Sequence, residues 1–155
     1  MPKVSSSRRN FVPGAYLDAE VIAGDKLIVF PDAELWLFAL LHSSMWNAWV
    51  RTVGGRLKSD IDLSVDLVFN AFPFPQMHDA SKANLALAAQ RILDARAAHH
   101  GASLADLYDP LSMPTELVKA HDALDNLVDS QFAPGKKLDH PPTGRTPRIG
   151  GSHVN

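Results

Sequence analysis

No cysteine occurs among the 155 residues, which excludes disulfides, thiolate metal sites and cysteine nucleophiles together and fits a reducing compartment. No run approaches the ~18 consecutive apolar residues that span a bilayer. The polar, basic start MPKVSSSRRN has no apolar stretch behind it to act as a secretory signal. Charge of one sign is scarce as well. Fifteen Lys+Arg against 17 Asp+Glu leave a formal net charge of -2, without the cation excess by which phosphate-binding proteins usually show themselves. Catalytic signatures are missing too: there is no glycine-rich phosphate cradle, no Gly-x-Ser-x-Gly elbow and no His-Glu-x-x-His pair. Pro31-Asp32 could begin a magnesium nuclease motif, but no acidic residue stands two positions before Lys26, Lys58, Lys82, Lys119, Lys136 or Lys137. The seven histidines show no i, i+4 pairing on one helix, a weak basis for a metal site. These absences predict a soluble cytoplasmic protein without a membrane partner, a metal or catalysis of its own.

What is present suffices for one globular domain: 46% of the residues are apolar, enough for a core. Residues 1–10 read as a flexible arm, and residues 133–155 as a disordered Pro/Gly tail whose Lys136, Lys137, Arg145 and Arg148 are solvated. FVPGAYLD and DKLIVFPD read as short strands, with Leu27 to Phe30 apolar enough for burial on both faces. Asp32 is placed to cap the next helix, predicted over residues 33 to 53. Its apolar positions, among them Trp36, Trp46 and Trp49, run almost all round the cylinder, so it is surrounded by protein and its tryptophans are core rather than base-stacking platforms. Gly54 and Gly55 end it through the left-handed backbone that glycine tolerates. Residues 56 to 60 and 66 to 69 look strand-like, and prolines 73 and 75 close the region near residue 76. Beyond lies purely helical texture: a helix to about residue 99 with Leu85, Ala88, Ala89, Ile92, Leu93 and Arg96 at the 3.6 period, capped by Asp79 or Ser81, then a short turn around Leu104, Leu107 and Tyr108. A last helix from 113 to 132 carries Leu117, Ala120, Leu124, Leu127 and Val128 on one face.

Four blocks in order, SSSRRNFVPGAYL, ELWLFALLHSSMWNAWVRTVGGRLKSD, LVFNAFPFP and AAQRILDARAAHHGASLADLYDPLSMPTELVKAHDALD, resemble the C-terminal part of the MmeI-like single-chain Type II restriction-modification enzymes, which methylate adenine in DNA. The resemblance spans about residues 5 to 132. It implies that residues 11–76 close a target-recognition domain, the part that reads DNA sequence, and that residues 77–132 form a helical C-terminal subdomain. The metal- and S-adenosylmethionine-binding domains of such enzymes lie upstream. Their Asn-Pro-Pro-aromatic motif and glycine-rich cofactor loop are not in this sequence, so it reads as a fragment or separately encoded remnant that needs no cofactor. Double-stranded DNA and an upstream methyltransferase domain or subunit are the implied partners, with self-association a further possibility because truncation exposes apolar surface.

Within this family Lys58 and Asp60, following Gly-Arg-Leu, resemble base-reading positions. In a strand, residues two apart share a side; a lysine can donate to guanine O6 and N7, and an aspartate can accept from N4 of the paired cytosine. Arg51 and Arg56 are candidate phosphate contacts, or alternatively caps for the carbonyls ending the long helix. A surface ion pair between Lys58 and Asp60 is the bland alternative. One departure stands out: Ile61, Asp62, Leu63 and Ser64 replace the Tyr-Arg-Tyr-Ser-like run usual in the family, exchanging a basic residue for an acidic one. The predicted fold is α+β, a small incomplete mixed sheet around one long buried helix followed by a helical subdomain. The competing functional reading is a scaffold fragment that docks on other subunits without touching DNA.

Overall fold

The computed structural model describes residues 1–58 and 60–134, with only the backbone of Leu57. From residue 135 the expected basic tail lies outside the described residues. Nothing described is a helix long and apolar enough to cross a membrane.

The architecture is α+β. Three short strands, β1 (Val4–Ser5), β2 (Gly55–Leu57) and β3 (Asp60–Asp62), form a sheet in the order β1-β3-β2. Both pairings are antiparallel, which corrects the expected mixed sheet. The N-terminal residues, expected as a flexible arm, supply an edge strand instead: Val4 pairs with Asp62 and Ser5 with Ile61, and Ser5 is buried.

The predicted single helix over residues 33 to 53 is two, α1 (Leu35–Leu41) and α2 (Ser44–Val53). The break is a capping event. The Ser43 backbone is extended, its hydroxyl donates to the Leu40 carbonyl at 2.7 Å, and its oxygen accepts from the Trp46 amide at 3.1 Å, so one side chain closes α1 and opens α2. Asp125 of the last helix adds to this start, accepting from the Ser44 amide at 2.8 Å, where the positive end of α2 favours a carboxylate. Asp32 does not cap α1; its backbone is left-handed (φ 53°), and Glu34 occupies the N-cap position without a side-chain hydrogen bond. The strands expected around residues 11–18 and 25–32 are absent. Leu27 makes an isolated antiparallel bridge to Pro2, Ile28 is buried, and Val29 is exposed, so the apolar run follows the surface with one face inward. Residues Val65–Phe69, expected as strand, form a π-helical turn capped by the Ser64 hydroxyl.

The helical region follows the sequence pattern closely. It comprises α3 (Asp79–Ala97), α4 (Leu104–Leu107) and α5 (Thr115–Phe132). The N-cap of α3 is His78, with no side-chain bond, so neither Asp79 nor Ser81 caps it. Its buried positions, Leu85, Ala88, Ala89, Ile92 and Arg96, are five of the six predicted; Leu93 is half-buried. Helices α1, α3 and α5 enclose one core, with Leu40, Ile92 and Leu124 at its centre. A second core, built on Trp46, Val50, Ile61 and Val68, joins α2 to the sheet and the π turn. Trp46 is fully buried, while Trp36 and Trp49 are partly covered. Trp49 donates from Nε1 to the Val68 carbonyl at 2.9 Å, so these rings serve packing.

Candidate nucleic-acid interface

Helix α2 ends where the hairpin β2–β3 begins, and a close approach fixes that junction. At Gly54 (φ −64°, ψ 144°) the backbone is extended, so the left-handed argument for this glycine does not hold. Space is the reason for it: a Cβ there would lie 2.4 Å from the Val50 carbonyl oxygen and 2.8 Å from Ile61 Cγ2. Glycine thus lets the hairpin fold directly back onto the last turn of α2, with Ile61 buried against it.

Leu57 pairs with Asp60, so the hairpin between β2 and β3 turns at Lys58. Lys58 adopts φ 58°, a left-handed conformation that costs a non-glycine residue ~1–2 kcal/mol and that hairpin turns normally assign to Asn or Gly. The expectation that Lys58 and Asp60 project alike from one strand is therefore corrected. Lys58 is exposed at the turn, Asp60 is half-buried at the start of β3, and among the described residues neither makes a side-chain hydrogen bond or ion pair. The surface ion pair that would have explained them does not form.

Opposed residues of an antiparallel pair share a face. Ser5, Ile61 and Arg56 stand on the side toward α2; Val4, Asp62 and Gly55 stand on the other. On the inner side Arg56 is exposed at the edge. Arg51, in the last turn of α2, is half-buried and donates from Nη2 to the Arg9 carbonyl at 2.5 Å. It does not cap its own helix. Burial and, after it, the positive charge of Arg56 bring the Arg51 pKa below the ordinary arginine value; the two guanidiniums are near enough to repel. Asn47 fixes the same N-terminal segment by donating to the Asn10 carbonyl. The departure at residues 61–64 also has a structural account. Ile61 and Leu63 fill the core, the Leu63 amide donates to the Lys3 carbonyl at 2.7 Å, and Asp62 is exposed on the outer face.

Among α1, α3 and α5 lies a buried polar cluster that motif searching does not reveal. Arg96 of α3 donates from Nε and Nη2 to the Tyr108 hydroxyl at 2.9 and 2.5 Å, and from Nη1 to the Gly14 carbonyl at 2.7 Å. Its guanidinium carbon lies over the rings of Phe38 and Tyr108, 5.3 and 4.9 Å from their centroids. With two guanidinium donors on its oxygen, the Tyr108 hydroxyl gives its proton to His121 Nε2 at 2.8 Å. His42 accepts at Nε2 from the Gly14 amide (2.8 Å) and donates from Nδ1 to the Phe38 carbonyl (2.8 Å), which specifies a neutral imidazole. Burial, then the nearby Arg96 charge, push the His42 pKa down to about 3; the same causes, with His42 between them, hold His121 well below its ordinary value. A sequence signal for this cluster existed, since Arg96 and His121 occupy apolar positions of their helices. Among the described residues no three His, Cys, Asp or Glu are grouped to hold a metal ion.

Comparison with known proteins matches this arrangement. The model of the MmeI target recognition domain matches residues 1–76, and that of the MmeI C-terminal domain matches residues 77–146. DNA methyltransferase A of Bacillus subtilis (strain 168) is 39% identical over 132 residues, covering 85% of this chain and 15% of that protein. A solved structure of the Type IIL restriction-modification enzyme MmeI in complex with DNA superposes with a TM-score of 0.83 at 43% identity, covering 87% of this chain and 18% of that one. The chain thus spans less than a fifth of either relative. It belongs to the MmeI family, of whose members it carries the target-recognition and C-terminal domains.

Proposed function

We propose that the chain is a DNA sequence-recognition module of an adenine-specific DNA methyltransferase or restriction-modification protein, non-catalytic by itself, which reads double-stranded DNA with the tip of the β2–β3 hairpin. A two-stranded ribbon fits the major groove. The observation that carries the reading is Lys58: a lysine in a left-handed turn, exposed and, like Asp60, without a side-chain partner among the described residues. Such backbone strain is characteristic of binding sites, where it holds a side chain in a required direction. Lys58 donates to guanine O6 and N7, and Asp60 accepts from N4 of the paired cytosine, each contact discriminating by ~1–3 kcal/mol. Arg51 and Arg56 meet phosphates and set the register of the hairpin on the duplex. A phosphate between them relieves their mutual repulsion. An upstream methyltransferase domain, on the same or another polypeptide, supplies the chemistry.

Selection from short duplexes with randomised sequence tests this reading. The chain should enrich a G·C pair at one position, and exchanging the charges with Lys58→Glu and Asp60→Arg should change the preferred base at that position alone. Arg56→Gln should leave the preference intact and lower the slope of log K against log salt by about 0.9, one counterion's worth. Equal enrichment of all four bases at every position would overturn the proposal.

A further inference from the structure

On the other side of α1 the surface has a different character. Residues 14 to 34 run without helix or paired strand and present Tyr16, Leu17, Val21, Ile22 and Val29 to solvent, Ile22 with 95% of its surface exposed. Tyr16, Leu17, Val21 and Val29, with Leu37 and Leu41 of α1, border an apolar groove of about 390 Å³. Apolar side chains grouped in this way mark contact surfaces rather than ordinary exterior. The segment is held in place nonetheless. Ile28 donates to the Met1 carbonyl (2.7 Å), Lys3 to that of Lys26 (2.9 Å), and the Tyr16 hydroxyl to that of Ala33 (3.0 Å). Its start is fixed by the buried cluster, because both Arg96 and His42 bind Gly14. A surface fixed in advance loses little entropy on binding.

Charge selects the kind of partner. Along this segment stand Asp18, Glu20, Asp25, Asp32 and Glu34, all exposed, against the single cation Lys26. Asp18 and Asp32 line the groove itself, and the acidic character of the segment opposes approach of a phosphate backbone. We infer that the groove between residues 14 to 34 and α1 is the docking surface for the methyltransferase portion of the enzyme, which enters it with an apolar projection surrounded by Lys and Arg. The inference takes the partner's identity from the recognition-module reading, and from the finding that each relative continues for more than four-fifths of its length beyond the stretch this chain matches. Neither Lys58 nor Arg56 lines this groove, so docking here is compatible with an accessible hairpin tip. Rim charges oriented this way speed association and exclude wrong approaches more than they tighten the complex.

The probe is the Bacillus subtilis relative with its matching 132 residues removed. It should bind the chain saturably, and the double variant Val21→Asp, Val29→Asp should weaken binding at least tenfold while Arg56→Gln leaves it unchanged. No binding to a folded probe, equal binding by the variant, or a dimer of the chain itself that the same substitutions dissociate would each overturn the inference. A chimera carrying this chain in place of the removed stretch covers a probe that fails to fold. There the two substitutions should lower the melting temperature by several degrees more than in the isolated chain, and equal shifts would count against docking. Docking is read without DNA and duplex binding without the probe, so failure of one reading is distinguishable from failure of the other.

Discussion

Replacing Gly54 by alanine isolates the contact on which the hairpin depends, and its neighbour provides the control. At Gly54 an added Cβ would meet the Val50 carbonyl at 2.4 Å, Ile61 Cγ2 at 2.8 Å and the Asp62 carbonyl at 3.2 Å. Val50 and Ile61 are completely buried, and two of the three atoms met are backbone, so no flexible side chain can give way. The dihedral angles suit alanine, so the cost is steric. Overpacking of this kind costs ~1–3 kcal/mol, and overlap with the Val50 carbonyl and the buried Ile61 methyl places Gly54→Ala near the upper end. Against this stands ~0.4–1 kcal/mol gained by restricting the unfolded chain, for a net loss of about 2 kcal/mol. At ~2–4 °C per kcal/mol for a chain of this size, the melting temperature should fall by about 4–8 °C. At Gly55 the nearest atoms would be Asp62 Cβ and Oδ2 at 3.6 and 3.7 Å, ordinary contact, so Gly55→Ala should leave stability unchanged or raise it slightly. Thermal unfolding followed by circular dichroism reads both variants. Equal shifts in the two would refute the claim that close approach, rather than conformational freedom, requires glycine at 54.

The buried cluster yields two further expectations. Tyr108→Phe removes the acceptor of two Arg96 donors and the donor to His121 Nε2, leaving charged N–H groups without a partner inside the protein. The cost should be about 3 kcal/mol in urea unfolding, and a loss below 1 kcal/mol would show that the cluster is hydrated. Stability should also fall with pH below about 6.5, the ordinary histidine value. In the unfolded chain His42 binds a proton there, whereas in the fold it resists protonation down to about 3. The contribution is complete above pH 6.5 and declines as pH drops toward 3, reaching about 2 kcal/mol lost by pH 5 from His42 alone. His121 adds to it in the same direction, and a flat stability profile from pH 6.5 to 5 would contradict the neutral assignment of both rings.

The sequence was most informative where one face packs and the other is wet. In α3 the 3.6 period marked the buried stripe, including Arg96, whose place among leucines and alanines was itself a sign of a buried partner; in α5 it found Leu117, Leu124 and Val128 but missed the buried His121, Asp125 and Asp129. The run before Gly54 was harder to resolve, because apolar residues all round a cylinder carry no phase and a turn at His42–Ser43 leaves no gap in the pattern. Leu27 to Phe30 misled for a related reason: a continuous apolar run also describes a surface segment with one buried side chain, Ile28, between exposed neighbours. Lys58-Ser59 carries none of the Asn, Asp or Gly that announces a two-residue hairpin, so the turn was invisible and the segment read as one strand. Lys58 and Asp60 as candidates came from the family likeness, which spacing alone would not have supplied.

The two matched domains depend on each other mechanically. The hairpin rests on α2, and α2 is held at its start by Asp125 from α5 and at its flank by Phe132, which packs against both cores. The first stretch of the chain is held from the same direction: Phe11 stacks on His121 with ring centroids 4.0 Å apart, and Arg96 binds the Gly14 carbonyl. The helical domain thus fixes both chain segments that converge at the hairpin, the residue 9–14 strip under Arg51 and the helix that carries Arg51 itself. A base pair is read by placing donors and acceptors to within a fraction of an ångström, and a three-stranded sheet with strands of two or three residues cannot hold that precision alone. If the tip reads bases as proposed, rigidity reaching it from α3 and α5 through Arg96, His121 and Asp125 gives a physical reason for the C-terminal domain to accompany the recognition domain.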